Sequence, residues 1–286
     1  MGIPQMEPLN IIAEDWDDYK RITGELSENW VFRGQVNADW ELRNALERTN
    51  FIQHTKGIEQ KFLMEFQRGA RNYLNRDETP EHIIEWLALM QHHGAPTRLV
   101  DFSKSPFISS YFAFEQCWES TDYVAIWALN VHHIRKAASA ILAERFPKEW
   151  ASSGGHINEQ IFEKIFFLDE ISFVFPVEPF RMNRRYSIQQ SIFLSSGIST
   201  CPFMDQLMFL GADISKSVIR IDVPTHDQKR VIRDLQKMNI HRASLFPDLD
   251  GYALSMKMKY DYMKTPEESL EDHIRMMNDR RFDINP

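Results

Sequence analysis

The 286-residue sequence has few cysteines, glycines and prolines, and it has no long apolar run. Two cysteines are too few for a disulfide framework or a four-cysteine metal site. The 11 glycines and 13 prolines are scattered, so no low-complexity linker divides the chain. No apolar run approaches about 18 residues, and the first ten residues lack the basic-then-apolar order of a signal peptide. We therefore expect a cytoplasmic protein that does not interact with membranes.

Common catalytic motifs are also missing. The sequence contains no glycine-rich phosphate loop, no nucleophile elbow and no His-Glu-x-x-His motif. Two pairs of histidines are adjacent, at 92–93 and 132–133, but neighbouring side chains point in different directions, and no third ligand follows at a usual spacing. The sequence therefore predicts no metal site.

Acidic residues outnumber basic ones by 41 to 33, which gives a net charge of −8. This balance argues against binding of nucleic acid or anionic lipid by the overall charge of the chain. Binding through a local basic patch is still possible. A hydrophobic fraction of 43% is enough for a sizeable core. The length fits about two domains or one large domain, and the absence of a linker favours one.

Short strands and helices alternate irregularly along the sequence. Apolar residues four apart predict a helix near residues 57–74, and Ser105 followed by Pro106 predicts the start of another. Residues 123–129 form an almost unbroken apolar run, typical of a strand buried on both faces. Several further strand candidates follow one another between residues 171 and 223. This order favours an α+β fold over a doubly wound sheet.

The first unusual segment is the tetrapeptide at residues 32–35, Phe-Arg-Gly-Gln. Arg33 directly follows strand residues that look buried, so its guanidinium needs a carboxylate or phosphate partner. Gly34 allows a ligand or another backbone to approach closely. The alternative is that Arg33 forms a salt bridge with Asp101 or another acid.

The second segment, residues 91–106, places polar side chains between two apolar helices, where loops often carry function. Asp101, Ser103 and Ser105 offer acceptors and hydroxyls on one short arc. In the alternative interpretation, Ser103 or Ser105 only caps the following helix and Asp101 pairs with Arg98.

The third segment contains the clearest local positive cluster, Arg181, Arg184 and Arg185, which suits a phosphate or a solvated turn equally well. Gln189 and Gln190 follow, and we expect them to lie on opposite faces of a strand. The inward one then needs a ligand or backbone partners.

Taken together, these segments resemble the FRG domain, which is named for a Phe/Tyr-Arg-Gly triplet. The triplet is Phe32-Arg33-Gly34, and residues 91–106 (QHHGAPTRLVDFSKSP), with Tyr111-Phe112-Ala113, resemble the family's longest motif. Residues 185–193 (RYSIQQSIF) and 244–251 (SLFPDLDG) are similar to two further blocks. The resemblance runs in order from about residue 25 to 260. It implies an FRG domain at 25–263, an N-terminal extension at 1–24 and a charged helical extension at 264–286.

The three-block layout is similar to that of ADP-ribosyltransferases, with an arginine on a first strand, a serine-rich second segment and a carboxylate on a third strand. The resemblance implies a single α+β domain with a small, mostly antiparallel mixed sheet surrounded by helices. It also implies that Arg33 holds NAD, that Ser103 and Ser105 brace its nicotinamide ribose and the neighbouring strand, and that Tyr111 stacks on nicotinamide. The residues expected to contact NAD are Arg33, Gly34, Thr97, Arg98, Ser103, Ser105, Tyr111 and Gln189.

Cleavage of the nicotinamide–ribose bond builds positive charge on the sugar, which a carboxylate stabilises. Asp101 is the first candidate for this carboxylate. Asp248 and Asp250 are the second, with capping of the next helix as their alternative role. Gln189 stands where the related transferases often have glutamate, and its amide cannot act as a general base. The expected catalytic residues are therefore Arg33, Asp101 and Gln189.

The resemblance thus predicts an NAD-dependent ADP-ribosyltransferase that uses no metal. Its acceptor is expected to be nucleic acid or protein, and its setting a toxin–antitoxin or antiviral (anti-phage) defence system with an antitoxin or regulatory partner. Two alternatives stay open: a non-catalytic module of the same fold that binds a nucleotide or a partner, and a purely structural interaction domain.

Overall fold

The computed structural model describes residues 7–49, 55–75, 79–117, 121–179, 184–261 and 274. The chain consists of two compact units, residues 1–228 and 229–286. The boundaries predicted at residues 24/25 and 263/264 stay predictions, and of the predicted extension at 264–286 only residue 274 lies within the described ranges. None of the helices in those ranges has both the length and the apolar character needed to cross a bilayer.

A seven-stranded sheet in the order β1-β7-β4-β2-β3-β6-β5 forms the centre of the first unit. Only β1 and β7 pair in parallel, and every other neighbouring pair is antiparallel. The predicted α+β fold with a mostly antiparallel mixed sheet is therefore confirmed. The strands are β1 (Leu9–Ile12), β2 (Trp30–Gln35), β3 (Leu99–Ser103), β4 (Tyr123–Asn130), β5 (Val174–Val177), β6 (Ser191–Ser196) and β7 (Val218–Pro224).

Nine α-helices of the described ranges lie within the first unit. They are α1 (Trp16–Gly24), α2 (Ile58–Ala70), α3 (Ile83–His92), α4 (Pro106–Phe114), α5 (Val131–Arg145), α6 (Pro147–Ser152), α7 (Glu159–Leu168), α8 (Arg184–Ile188) and α9 (Phe203–Met208). Two short 3₁₀ segments, Ala212–Ser217 and Thr225–Asp227, flank β7. Helix α10 (Gln228–Lys237) begins at the last residue of this unit, and α11 (Arg242–Leu245) and α12 (Leu249–Asp261) belong to the second.

Strand alternation gives the sheet two buried faces. Val31, Phe102 and Trp127 belong to a cluster on one face. Phe175 and Phe193 belong to a second cluster on the other face, together with side chains of α2, α3 and α7. Because both faces are covered, a central strand such as β4 is buried along almost its whole length, as its apolar run predicts.

Local sequence signals place several elements correctly. Helix α2 lies within the predicted range 57–74. The Ser105 side chain accepts a hydrogen bond from the backbone N–H of Ile108, so it caps α4 as its position before Pro106 predicts. In the second unit, Asp248 Oδ1 accepts a hydrogen bond of 2.6 Å from the backbone N–H of Gly251. Asp248 therefore has the capping role that was its alternative interpretation.

Candidate functional site

The sheet opens between β2 and β3. Strand β2 pairs with β4 over six residues and β3 pairs with β6 over five, but the register between β2 and β3 joins only Phe32 with Ser103. The two strands therefore diverge beyond Phe32. The edge of β3 that faces β2 is left with backbone groups that need another partner.

Arg33 lies at this opening. Its Nη1 donates a hydrogen bond of 2.8 Å to the backbone carbonyl of Asp101, and the same nitrogen is 4.0 Å from Asp101 Oδ2. The side chain is 20% exposed. Its Nε is buried and has no hydrogen-bond partner among the described residues. Since a guanidinium has five N–H donors, Arg33 keeps donor capacity for a further acceptor.

The charges around Arg33 also favour an anion. Burial lowers the pKa of Arg33, the carboxylate of Asp101 raises it, and the positive charge of Arg48 lowers it again. Arg48 itself is exposed and forms no ion pair within the described parts of the chain. The positive charge of Arg48 therefore adds to that of Arg33, and Asp101 is the acid of the described residues that offsets it. A phosphate group would neutralise the excess positive charge.

The carboxylate of Asp101 is held at the mouth of the opening. Its side chain is 48% exposed. Gln91 Nε2 donates a hydrogen bond of 2.5 Å to Asp101 Oδ2, and Thr97 Oγ1 donates one of 2.6 Å to Gln91 Oε1. The predicted site residue Thr97 thus acts on Asp101 through Gln91. The idea that Asp101 pairs with Arg98 is wrong, because Arg98 has other partners.

Arg98 is enclosed in the core. Its Nε lies 2.5 Å from Glu59 Oε2, its Nη2 lies 3.2 Å from Asp169 Oδ1, and its Nη1 donates to the carbonyl of Gly197. All three charged side chains are almost fully shielded from water. A charge held in this way supports the fold, and the buried Arg98 side chain is not accessible to a ligand.

The two predicted serines make backbone contacts. Ser103 is buried; its Oγ donates to the carbonyl of Gln189 at 2.8 Å and accepts from the N–H of Ser105 at 3.1 Å. Ser103 therefore joins β3 to the segment before β6. Ser105 caps α4, as described above, and their contact with a ribose stays a prediction.

Gln189 and Gln190 precede β6, which begins at Ser191, so the expectation that they lie on the strand is wrong. Gln190 has a φ of 50°, and the turn this creates ends the helical segment that precedes it. The Gln189 side chain is buried. Of the predicted basic cluster, Arg181 lies outside the described residues, and Arg184 begins α8.

Two further predicted contacts face the protein interior. A Cβ atom at Gly34 would lie 2.0 Å from the carbonyl oxygen of Ser109, so helix α4 fills the space that a ligand was expected to use. Tyr111 is 1% exposed, and its hydroxyl donates to Glu115 Oε1 at 3.0 Å. In this position the ring packs in the core.

A cavity of about 480 Å³, which no sequence motif predicted, lies at the end of β2. It is lined by Gln35, Asp39, Trp40, Glu41, Arg43 and Arg48. Trp40 lies five residues after the end of β2 and is followed by arginines three and eight positions later. This pattern is the sequence signal that would have pointed to the cavity.

Comparison with known proteins identifies one family. Residues 28–122, which include β2, β3, α4 and the cavity-lining segment, match the model of the FRG domain. No curated protein and no solved structure matches the chain. Residues 28–122 of this chain are therefore similar to the FRG domain family.

Proposed function

We propose that this protein is an NAD-dependent ADP-ribosyltransferase in which Arg33 binds a phosphate or ribose group of NAD. The observation that carries the proposal is the incompletely paired guanidinium of Arg33 at the opening between β2 and β3, next to the accessible carboxylate of Asp101. A cation and an acid at one opening suit an anionic dinucleotide whose ribose becomes positively charged during reaction.

The order of the strands supports the same function. The resemblance to ADP-ribosyltransferases implies that the arginine strand, the serine segment and the third block are neighbours. In the sheet, β2, β3 and β6 are adjacent in this order, although they are far apart in sequence. Ser103 connects the second and third of them through its hydrogen bond to Gln189.

The proposed reaction begins when the bond between ribose C1′ and the nicotinamide nitrogen breaks, and its electron pair leaves with nicotinamide. The carboxylate of Asp101 stabilises the positive charge on the ribose. A nucleophile of the acceptor then bonds to C1′ and releases its proton to solvent or to a base of the acceptor. The Gln189 amide is able to hydrogen-bond a hydroxyl but unable to take this proton.

The test measures nicotinamide release from labelled NAD by the full chain, alone and with cell extract. We expect Arg33→Ala to abolish release and Arg68→Ala, which alters an exposed arginine of α2, to leave it unchanged. Circular dichroism establishes that both variants are folded. Full activity of Arg33→Ala would remove the assignment of the site.

The second candidate is a non-catalytic module that binds a nucleotide, and the glutamine at position 189 favours it. Such a module would bind NAD without releasing nicotinamide in any extract. When release occurs, NAD labelled in its adenylate half identifies the acceptor, because labelled protein and labelled nucleic acid are separated before counting. The toxin–antitoxin or defence setting, the regulatory partner and the cytoplasmic location stay predictions from the sequence.

A further inference from the structure

The cavity lined by Gln35, Trp40 and Arg48 lies at the end of β2, the strand that carries Arg33. Arg33 and Gln35 lie two residues apart on β2, so their side chains share one face about 7 Å apart along the strand. The positive charge of Arg48 lowers the pKa of Arg33. With a volume of about 480 Å³, the cavity falls in the range of about 300–1,000 Å³ that small-molecule sites occupy.

Three kinds of group are available to a ligand there. Trp40 is 53% exposed and presents an aromatic ring. Arg48 offers a cation that no acid of the described chain neutralises, whereas Arg43 is paired with Glu41. Asp39 is exposed, and its carboxylate has no ion-pair partner in the described ranges. An aromatic plane, a free cation and a free carboxylate fit a base, a phosphate and a sugar hydroxyl respectively.

The segment that lines the cavity, residues 39–48, is anchored to the protein by buried side chains and hydrogen bonds. Leu42 and Leu46 are buried, and the side chains of Asn44 and Glu47 each accept a hydrogen bond from the backbone N–H of the other. Gln35 Oε1 accepts a hydrogen bond of 2.7 Å from Trp127 Nε1. The backbone that carries Trp40 and Arg48 is therefore held in place before a ligand arrives, which reduces the ordering that accompanies binding.

We propose that this cavity binds the adenosine half of NAD, with the purine stacked on Trp40, a ribose hydroxyl donating to Asp39 and the adjoining phosphate bound by Arg48. The inference rests on the proposed function and specifies which end of the dinucleotide lies where. The pyrophosphate runs from Arg48 to Arg33, and the nicotinamide ribose lies at Asp101. The opposite direction would place the positively charged nicotinamide ring near Arg48, which repels it.

The experiment measures binding of AMP and of nicotinamide mononucleotide to the full chain by titration calorimetry. We expect Trp40→Ala to weaken AMP binding about tenfold, because it removes the stacking surface for the purine, and Trp40→Phe to retain most of the affinity. We expect Arg48→Gln to weaken AMP binding about tenfold as well, because it removes the cation that binds the phosphate. The matched controls are Tyr73→Ala, at a residue 87% exposed, and Arg68→Gln, at an exposed arginine of α2. Both are expected to bind AMP like the wild type.

The inference is overturned if Trp40→Ala leaves AMP affinity unchanged in a folded protein, or if it weakens only nicotinamide mononucleotide. Nicotinamide release by the wild-type chain is measured in parallel. If the wild-type chain releases nicotinamide but Trp40→Ala binds AMP as tightly as the wild type, this placement of the adenosine half is refuted and the proposed function stands. AMP binding that depends on Trp40 without any release supports the cavity assignment and rejects transfer.

Discussion

Arg98 and Glu59 form an ion pair that is almost completely shielded from water, with Arg98 Nε 2.5 Å from Glu59 Oε2. Glu59 Oε1 also accepts a hydrogen bond from the backbone N–H of Arg98. Asp169 approaches the same guanidinium, and the ring of Phe166 lies 4.8 Å from its central carbon. The pair therefore ties helix α2 to the residue before β3, three positions from Asp101.

We expect Glu59→Ala to lower the free energy of unfolding by about 3–5 kcal/mol, because removing one partner leaves a buried charge incompletely compensated. Urea denaturation measures the change. Glu65→Ala, at an exposed position of the same helix, is the control and is expected to stay within about 0.5 kcal/mol of the wild type. Equal stability of the two variants would show that the ion pair is not important for the fold.

A second prediction concerns the contact between β2 and α4. In Gly34→Ala, the new Cβ would lie 2.0 Å from the Ser109 carbonyl and 2.8 Å from the Ala113 nitrogen. Since both atoms are backbone, we expect a loss of about 3 kcal/mol in unfolding free energy or the loss of folded protein. Gly69→Ala, within α2 and with open space around its Cβ, should instead stabilise the chain by about 0.5–1 kcal/mol. Thermal unfolding of both variants is the measurement, and a stable Gly34→Ala variant contradicts the packing.

The third prediction separates binding from catalysis at Asp101. Asp101→Asn keeps the backbone carbonyl that Arg33 contacts, but removes the charge that stabilises the ribose cation. We expect kcat for nicotinamide release to fall about 100- to 1,000-fold, with little change in KM, because this stabilisation arises only in the transition state. Steady-state kinetics measures both constants. Gln91→Ala, which frees the carboxylate without neutralising it, should lower kcat by less, and unchanged kcat in Asp101→Asn would exclude Asp101 from the reaction.

The fourth prediction concerns the thiol of Cys117. Burial raises its pKa from 9.0 to about 11, so at pH 8 the folded chain holds about 100-fold less thiolate than an exposed cysteine. In a Cys201→Ser variant, which keeps this single thiol, labelling by a thiol reagent should accelerate at least 100-fold when urea unfolds the chain. The raised pKa also makes stability depend on pH. Because the thiol ionises more easily in the unfolded chain, the free energy of unfolding falls as pH rises from about 9 to about 11. Equal labelling rates with and without urea would contradict the burial.

The sequence alone was sufficient for features that depend on neighbouring residues. The apolar run at residues 123–129 marks the buried strand β4, and Ser105 before Pro106 marks the cap of α4. Its motifs also identified the FRG family, which the match at residues 28–122 confirms. Periodicity and capping act over a few residues, so they are visible without knowledge of the fold.

Only the tertiary structure decided which distant groups meet. Glu59 lies 39 positions before Arg98, so no local pattern could pair them, and Asp101 was left with Gln91 and Arg33 instead. The space beside Gly34 belongs to α4 because the sheet and that helix pack together. The opening between β2 and β3 arises because β2 pairs along its length with β4 and β3 with β6, whereas β2 and β3 share a single residue pair. Long-range packing sets this pairing, and sequence spacing does not reveal it.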